Sequence, residues 1–396
     1  MASTDRHTRM RGLLRAAPLV DGHNDLLWAL RDRGGDGAID SDVERDRPEL
    51  QTDLRRLAAG GVGGQFWSVY VPSDLPGHEA VTRTLEQIDL LFEVVGRHPG
   101  RLELARTAGD VERAAATGRV ASMIGVEGGH CIGGSLGALR VLARLGAGYL
   151  TLTHNDDTAW ADSATGLHPH GGLTRFGEEV VLELNRIGML VDVSHVADDT
   201  MRQAIEVSRA PVICSHSSAR ALADVTRNVP DDVLDLIGRT GGVVMVTFVP
   251  AFLTREGAAV NRAGWEHAAE LRERHPDEPS AVSEAMDAWF DEHPVSAAVT
   301  DVADHIDHVR ERAGIDSIGV GGDFDGAGEM PEGLADVAGY PALFEELSSR
   351  GYADEELMKV AGRNVLRVMR EAERVATTLS SSSPGSSSAA VGRPPA

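Results

Sequence analysis

The sequence is nearly free of lysine: Lys359 is the single exception among 38 basic residues, and all the others are arginine. A Schiff-base aldolase, a pyridoxal-phosphate enzyme or a Walker-A phosphate binder needs a lysine at its active site. Lys359 falls in a helical-looking stretch near the C-terminus, so these classes drop out. Cysteine is almost as scarce. Cys131 and Cys214 are the only two, too few for a disulfide framework and each set among apolar or small residues, so both are expected to be reduced. Aromatic residues make up 4% of the chain within a hydrophobic fraction of 42%, which predicts a core of Ala, Val, Leu and Ile. No apolar run approaches the length of a bilayer, and residues 1–20 are studded with arginine and lack a continuous apolar stretch. No membrane anchor is expected, and the cytoplasm is the expected location. Positive charge is not gathered into a patch, and 61 acidic residues leave a net charge of −23, which argues against nucleic acid or anionic lipid as a partner.

What is present is an alternation. Short β-branched or apolar runs at residues 19–25, 64–71, 120–127, 149–155, 189–195, 211–216, 242–249 and 317–323 are separated by amphipathic stretches long enough for helices, such as 79–96, 135–146, 174–187, 198–208 and 298–313. This is the pattern of a parallel sheet. An open, doubly wound sheet also alternates, but no G-x-G-x-x-G follows the first strand, so the expected fold is a closed (β/α)₈ TIM-like barrel. Residues 1–375 are expected to form one catalytic domain with a helical insertion at about 254–294, and residues 376–396, rich in Ser, Pro and Gly, are expected to be disordered.

In such a barrel the reactive groups sit at the C-terminal ends of the strands. His23 and Asp25 close the first predicted strand, Glu127 the third, His154 the fourth, His195 the fifth, His216 the sixth and Asp323 the eighth. In VDGHND the His and Asp are two residues apart, and strand alternation points both the same way. One such His is usually a satisfied core or loop residue, but imidazoles and carboxylates at several strand ends form the ligand set of a zinc site that keeps an open position for water. Many barrels of this kind bridge two metals with a modified lysine. The only lysine is misplaced here, so a carboxylate is expected to serve, with Glu127, followed by two glycines, as the natural bridge.

The segments DGHND, GVEGGH, LTHN with WAD behind it, DVSH, SHSS, RNVPD and GGDFDG occur in the order and roughly the spacing of the membrane (renal) dipeptidase family, peptidase family M19, of the amidohydrolase superfamily. The chain resembles that family over residues 18–370, which implies that its (β/α)₈ TIM-like barrel is of the metal-dependent hydrolase type. The resemblance implies two Zn²⁺ per chain, with His23 and Asp25 on one, His195 and His216 on the other, and Glu127 together with a water or hydroxide bridging them. It also implies that His154 contacts the scissile carbonyl, that Arg227 with Asn228 binds the substrate's C-terminal carboxylate, and that Asp323 carries the proton. The implied reaction is hydrolysis of small dipeptides, L-Xaa-D-Xaa included, by a metal-bridging hydroxide, in a chain compatible with a homodimer. A deaminase or lactonase on the same metals, or a metal-binding homologue without catalysis, are the alternative readings.

Overall fold

The structure is a computed structural model that describes residues 3–35, 39–275 and 279–381. Nine strands appear: β1 (Leu19–Asn24), β2 (Val62–Tyr70), β3 (Leu102–Leu104), β4 (Val120–Glu127), β5 (Ala147–Thr151), β6 (Leu190–Asp192), β7 (Ile213–Cys214), β8 (Val243–Val246) and β9 (Ile318–Val320). The sheet runs β2-β1-β9-β8-β7-β6-β5-β4-β3, and a further pairing of β2 with β4 closes the ring. Every pairing is parallel. The short β3 pairs only with the start of β4 and stands outside the closed eight-stranded barrel. The expected (β/α)₈ fold is therefore present, and β3, only three residues long, is the strand that the pattern of apolar runs did not announce.

Register carries function. The closing pair of β2 and β4 runs from Gly64 opposite Ala121 to Tyr70 opposite Glu127, so these last two side chains arrive at the same height at the barrel mouth. Tyr149 of β5 is fully buried, and it has space because β4 carries Gly125. A Cβ at Gly125 would lie 2.2 Å from the Tyr149 ring, so any larger residue there would expel the tyrosine.

The helices outside the barrel read as ordinary amphipathic segments. Gly77–Arg97 buries Ala80, Thr84, Ile88, Leu91 and Val95, at the three- and four-residue spacing of one helix face. Thr107 and Asp110 form a reciprocal capping box at the start of Ala108–Ala116. Two helices, Arg255–Arg274 and Pro279–Glu292, occupy the expected insertion.

The C-terminal expectation needs correction. Residues 376–381, expected to be disordered, lie in the helix Asn364–Ser381. Its buried face runs from Val365 through Met369 and Ala372 to Val375, with Leu379 packed against the same core. The hydroxyls of Thr377 and Thr378 donate to the carbonyls of Glu373 and Arg374, so these side chains are satisfied within the helix, which the packing of Leu379 carries on. The rest of the tail, 382–396, lies outside the described residues. Just before this helix a π-helical turn, Lys359–Arg363, packs under the start of β1, and Lys359 pairs with Asp316 at 2.7 Å.

Candidate active site

The strand ends deliver their polar side chains to one cavity of about 840 Å³ at the barrel mouth. Asp25, Glu127, His154, His195, His216, Arg227 and Asp323 line it. His23, 1% exposed, lies beneath.

Glu127 stands at the centre of the floor. Its Oε2 is 3.4 Å from His23 Nε2, while its Oε1 is 3.1 Å from His195 Nε2 and 3.5 Å from His216 Nε2. The two oxygens of one carboxylate thus face two separate imidazole groups. On the first side His23 Nε2 is also 3.2 Å from Asp25 Oδ2 and 3.9 Å from Asp323 Oδ1. On the second, the Nε2 atoms of His195 and His216 are 2.8 Å apart. Three groups of ligand-type atoms, each within 4.8 Å of one another, result: His23, Glu127 and His216; Glu127, His154 and His195; His23, Asp25 and Asp323. His154 and Asp323 therefore stand within the same reach as the five expected ligands.

The hydrogen bonds behind these rings test whether cations fit. The Tyr149 hydroxyl donates to the Gly22 carbonyl at 3.2 Å, so it accepts from His23 Nδ1, 2.9 Å away. That leaves the His23 Nε2 lone pair directed at the carboxylates, buried and without a hydrogen-bond partner. A buried acceptor facing other acceptors is costly unless a cation lies between them. His216 is held in the same way. Ser215 Oγ donates to Asp192 Oδ2 at 2.6 Å and accepts from His216 Nδ1 at 2.8 Å. Asp192, fully buried, also accepts from Thr151 Oγ1 and from the amides of Ser194 and Ser215. Such partners fix the tautomer and aim of metal-ligating histidines. Imidazole and carboxylate donors clustered in this way around Glu127 fit bound metal ions.

The electrostatics agree. Burial opposes charge on His23, yet Tyr149, Glu127 and Asp25 around it raise its pKa well above the usual histidine range, so Nε2 and the carboxylates facing it call for a positive charge between them, a proton or a metal ion. Burial holds His195 and His216 well below that range and pushes His154 down to about 4. Burial raises Asp323, and the neighbouring Asp25 and Glu127 add to it, while His23 opposes; the result is about 8.

Two of these residues sit in the left-handed backbone region, His195 and Asp323, each with φ of +63°. That conformation costs a non-glycine residue about 1–3 kcal/mol and persists only where the surroundings fix it. For His195 the fixing is visible: its carbonyl accepts from the Ala164 amide at 2.7 Å and from Thr153 Oγ1 at 2.9 Å. For Asp323 the backbone amide donates to the His23 carbonyl at 3.1 Å, which ties the end of β9 to the end of β1.

Arg227 is 3% exposed and lines the cavity beside His216. Its guanidinium donates to Ser217 Oγ and to the His216 carbonyl, both at a long 3.4 Å, and lies 5.5 Å from the Phe252 ring. Among the described residues it has no carboxylate partner, and burial lowers its pKa. Asn228 is placed differently from expectation. It does not line the cavity, because its amide donates to the carbonyls of Ala223 and Phe252 and its oxygen accepts from the Ser218 amide. Its side chain is fully engaged in holding the Arg227 loop.

Sequence reasoning passed over Tyr149, Asp192, Ser215 and Ser68, whose hydroxyl donates to Glu127 Oε2 at 2.9 Å. Each is a polar residue inside an apolar strand or beside a ligand. The signal available was Ser215 immediately before His216 and Gly125 two residues before Glu127.

The barrel and this cluster together define a protein of the metal-dependent hydrolase type. The family model described as membrane dipeptidase (peptidase family M19) matches residues 7–383, and the chain belongs to that family. Among curated proteins it is 42% identical to Dipeptidase 3 of Mus musculus over 368 residues, which is 92% of this chain and 66% of the relative, just under two thirds of its length. Among solved structures it resembles the "probable dipeptidase PvdM" of Pseudomonas aeruginosa, with a TM-score of 0.82 and 25% identity over 95% of this chain and 100% of that one. It also resembles a metallopeptidase of Rhodobacter sphaeroides liganded with a phosphinate mimic of L-Ala-D-Ala, with a TM-score of 0.74 and 26% identity over 90% of this chain and 99% of that one. These relationships overturn the cytoplasmic expectation: the matching family is that of membrane dipeptidases, and the arginine-rich residues 1–20 do not decide location. Among the described residues no helix is long and apolar enough to cross a membrane.

Proposed function

We propose that this chain is a binuclear zinc dipeptidase that hydrolyses small dipeptides, L-Xaa-D-Xaa among them, within a single catalytic domain. The observation that carries the reading is Arg227: a buried guanidinium with no carboxylate partner among the described residues, opening into the same cavity as two facing sets of metal-ligand side chains. A planar guanidinium fork meets a carboxylate bidentately, and a dipeptide supplies a free carboxylate one residue from its scissile bond. The phosphinate mimic of L-Ala-D-Ala on the Rhodobacter sphaeroides relative supports dipeptides of that stereochemistry as substrates.

In this reading His23, Asp25, Glu127, His195 and His216 would hold the zinc pair, with Glu127 shared between the His23–Asp25 side and the His195–His216 side. The pair would supply Lewis acidity toward the scissile carbonyl and make water nucleophilic near neutral pH. The chain's own groups do the rest. Arg227 binds the C-terminal carboxylate and sets the peptide's register on the floor. His154, kept neutral by burial, offers a ring N–H to the carbonyl oxygen as negative charge develops there. Asp323 lies close to His23 on the cavity floor, where its carboxylate can take a proton from the attacking water and return it to the departing amine.

The test combines metal analysis with turnover of L-Xaa-L-Xaa and L-Xaa-D-Xaa dipeptides by wild type and Arg227→Ala. About two zinc ions per chain, with dipeptide hydrolysis that collapses in Arg227→Ala, is the expected result. Zinc without any dipeptide cleavage, or cleavage indifferent to Arg227→Ala, would send the search to other amides, lactones or deamination.

A further inference from the structure

The cavity is polar on its floor and aromatic on one wall. The chain has only five tryptophans and eight phenylalanines, yet Trp28, Phe252, Trp265 and Phe290 all line this one space. Trp265 and Phe290 come from the two inserted helices, to which the ligand cluster owes nothing. Phe290 is 38% exposed, a large apolar side chain left open where a ligand in the cavity could cover it.

This wall is built with close tolerances. A Cβ at Gly264, in the first inserted helix, would lie 2.7 Å from the tip of the Phe290 ring, so glycine lets the second helix seat Phe290 there. Trp289 meets Phe290 edge-on at 5.1 Å and stacks on His293 at 4.0 Å, while His293 Nδ1 donates to the Trp289 carbonyl at 2.7 Å. Thr254 caps the first helix through the Gly257 amide, and that helix packs on the turn Pro250–Phe252. The wall is therefore continuous with Phe252, whose ring lies 5.5 Å from the Arg227 guanidinium.

We propose that the inserted segment selects the side chain of the substrate's C-terminal residue, favouring large apolar and aromatic groups. The proposal rests on the dipeptidase reading, because it takes Arg227 as the carboxylate anchor. A carboxylate held there is one bond from the Cα that bears the C-terminal side chain. That side chain emerges next to Phe252 and extends along the wall toward Trp265 and Phe290. The N-terminal residue lies beyond the scissile bond, on the far side of the ligand cluster from Arg227, and does not reach this wall.

The experiment measures kcat/KM for Ala-Ala, Ala-Phe and Phe-Ala with the zinc-loaded wild type, Trp265→Ala and Phe290→Ala. Wild type should favour Ala-Phe over both others. Each variant should lose about tenfold on Ala-Phe, the scale of a lost apolar pocket contact, while Ala-Ala stays within about twofold. Unchanged Ala-Ala turnover also shows that the variants are folded. Wild type without preference for Ala-Phe, or variants that lose Phe-Ala as much as Ala-Phe, would overturn the wall while leaving the dipeptidase reading intact. Failure of wild type on all three peptides would sink that reading, and the wall with it.

Discussion

His23, Glu127, His195 and His216 on the cavity floor are exposed by 1%, 3%, 7% and 1%, whereas Phe290 on the inserted wall is exposed by 38%. Each floor residue stands at or just past a strand end, and three of the four are fixed from behind by a second group: Tyr149 for His23, Ser215 with Asp192 for His216, Ser68 for Glu127, while His195 is held through its backbone carbonyl. The wall hangs from one excursion of the chain and is held chiefly by helix packing and ring contacts. The contrast separates two tasks. Groups that must converge on a point within tenths of an ångström are carried by the closed sheet, where many strands constrain each one. Groups that need only present an apolar surface are carried by a segment that can change without disturbing the barrel.

The sharpest way to break this division is Glu127→Ala. If the floor is one unit centred on this carboxylate, the variant loses bound zinc and its turnover falls to background; full metal content by elemental analysis would refute the bridging role. Next in size is Asp323→Asn. Here the metals should stay while kcat drops by about 10²–10⁴-fold, the usual worth of a positioned proton carrier. Equal loss of metal and of rate would make Asp323 a ligand instead, which its distance to His23 Nε2 of 3.9 Å allows. A smaller effect is expected behind the floor. Tyr149→Phe removes only a hydroxyl, and zinc affinity measured by chelator competition should weaken by about 10–100-fold; unchanged affinity would mean that the barrel alone aims His23.

The smallest effect belongs to a residue in neither region and sets the baseline. Burial is the largest single influence on the Asp110 carboxylate and works against its charge, but the Arg106 amide, the Arg113 guanidinium and Thr107 together outweigh it and lower its pKa to about 2. A carboxylate with a depressed folded pKa adds stability above its ordinary value of 3.8. That stability is lost as pH falls toward about 2. Asp110→Asn should cost about 1 kcal/mol in urea unfolding at neutral pH, as for a lost cap. It should also flatten the acid limb of stability and leave turnover alone.

Much of this was legible in the sequence because strands and ligands obey local rules. Each of the eight barrel strands carries enough β-branched or apolar residues to be seen, and the candidate ligands sit in or just after them: His23 within β1, Glu127 ending β4, and His195 and His216 just past β6 and β7. What escaped depended on partners distant in the chain. Tyr149 looks like an ordinary strand aromatic until Gly125 on the next strand opens room for it to reach His23. Asp192 acts through Ser215, 23 residues later. Asn228, in a motif with Arg227, was expected at the substrate and instead closes its own loop. The helix through Ser381 was hidden by serine and threonine, poor helix formers in isolation that here continue a packed face. The cytoplasmic expectation rested on the composition of residues 1–20, and the match to the membrane dipeptidase family overturns it.

The pairing of Lys359 with Asp316 puts the only lysine beneath the barrel, beside the start of β1 and the approach to β9, at the end opposite the cavity. Amine-reactive reagents therefore meet a single side-chain target, and it faces away from substrate. A bead, dye or surface coupled through that nitrogen would leave the mouth turned outward and free.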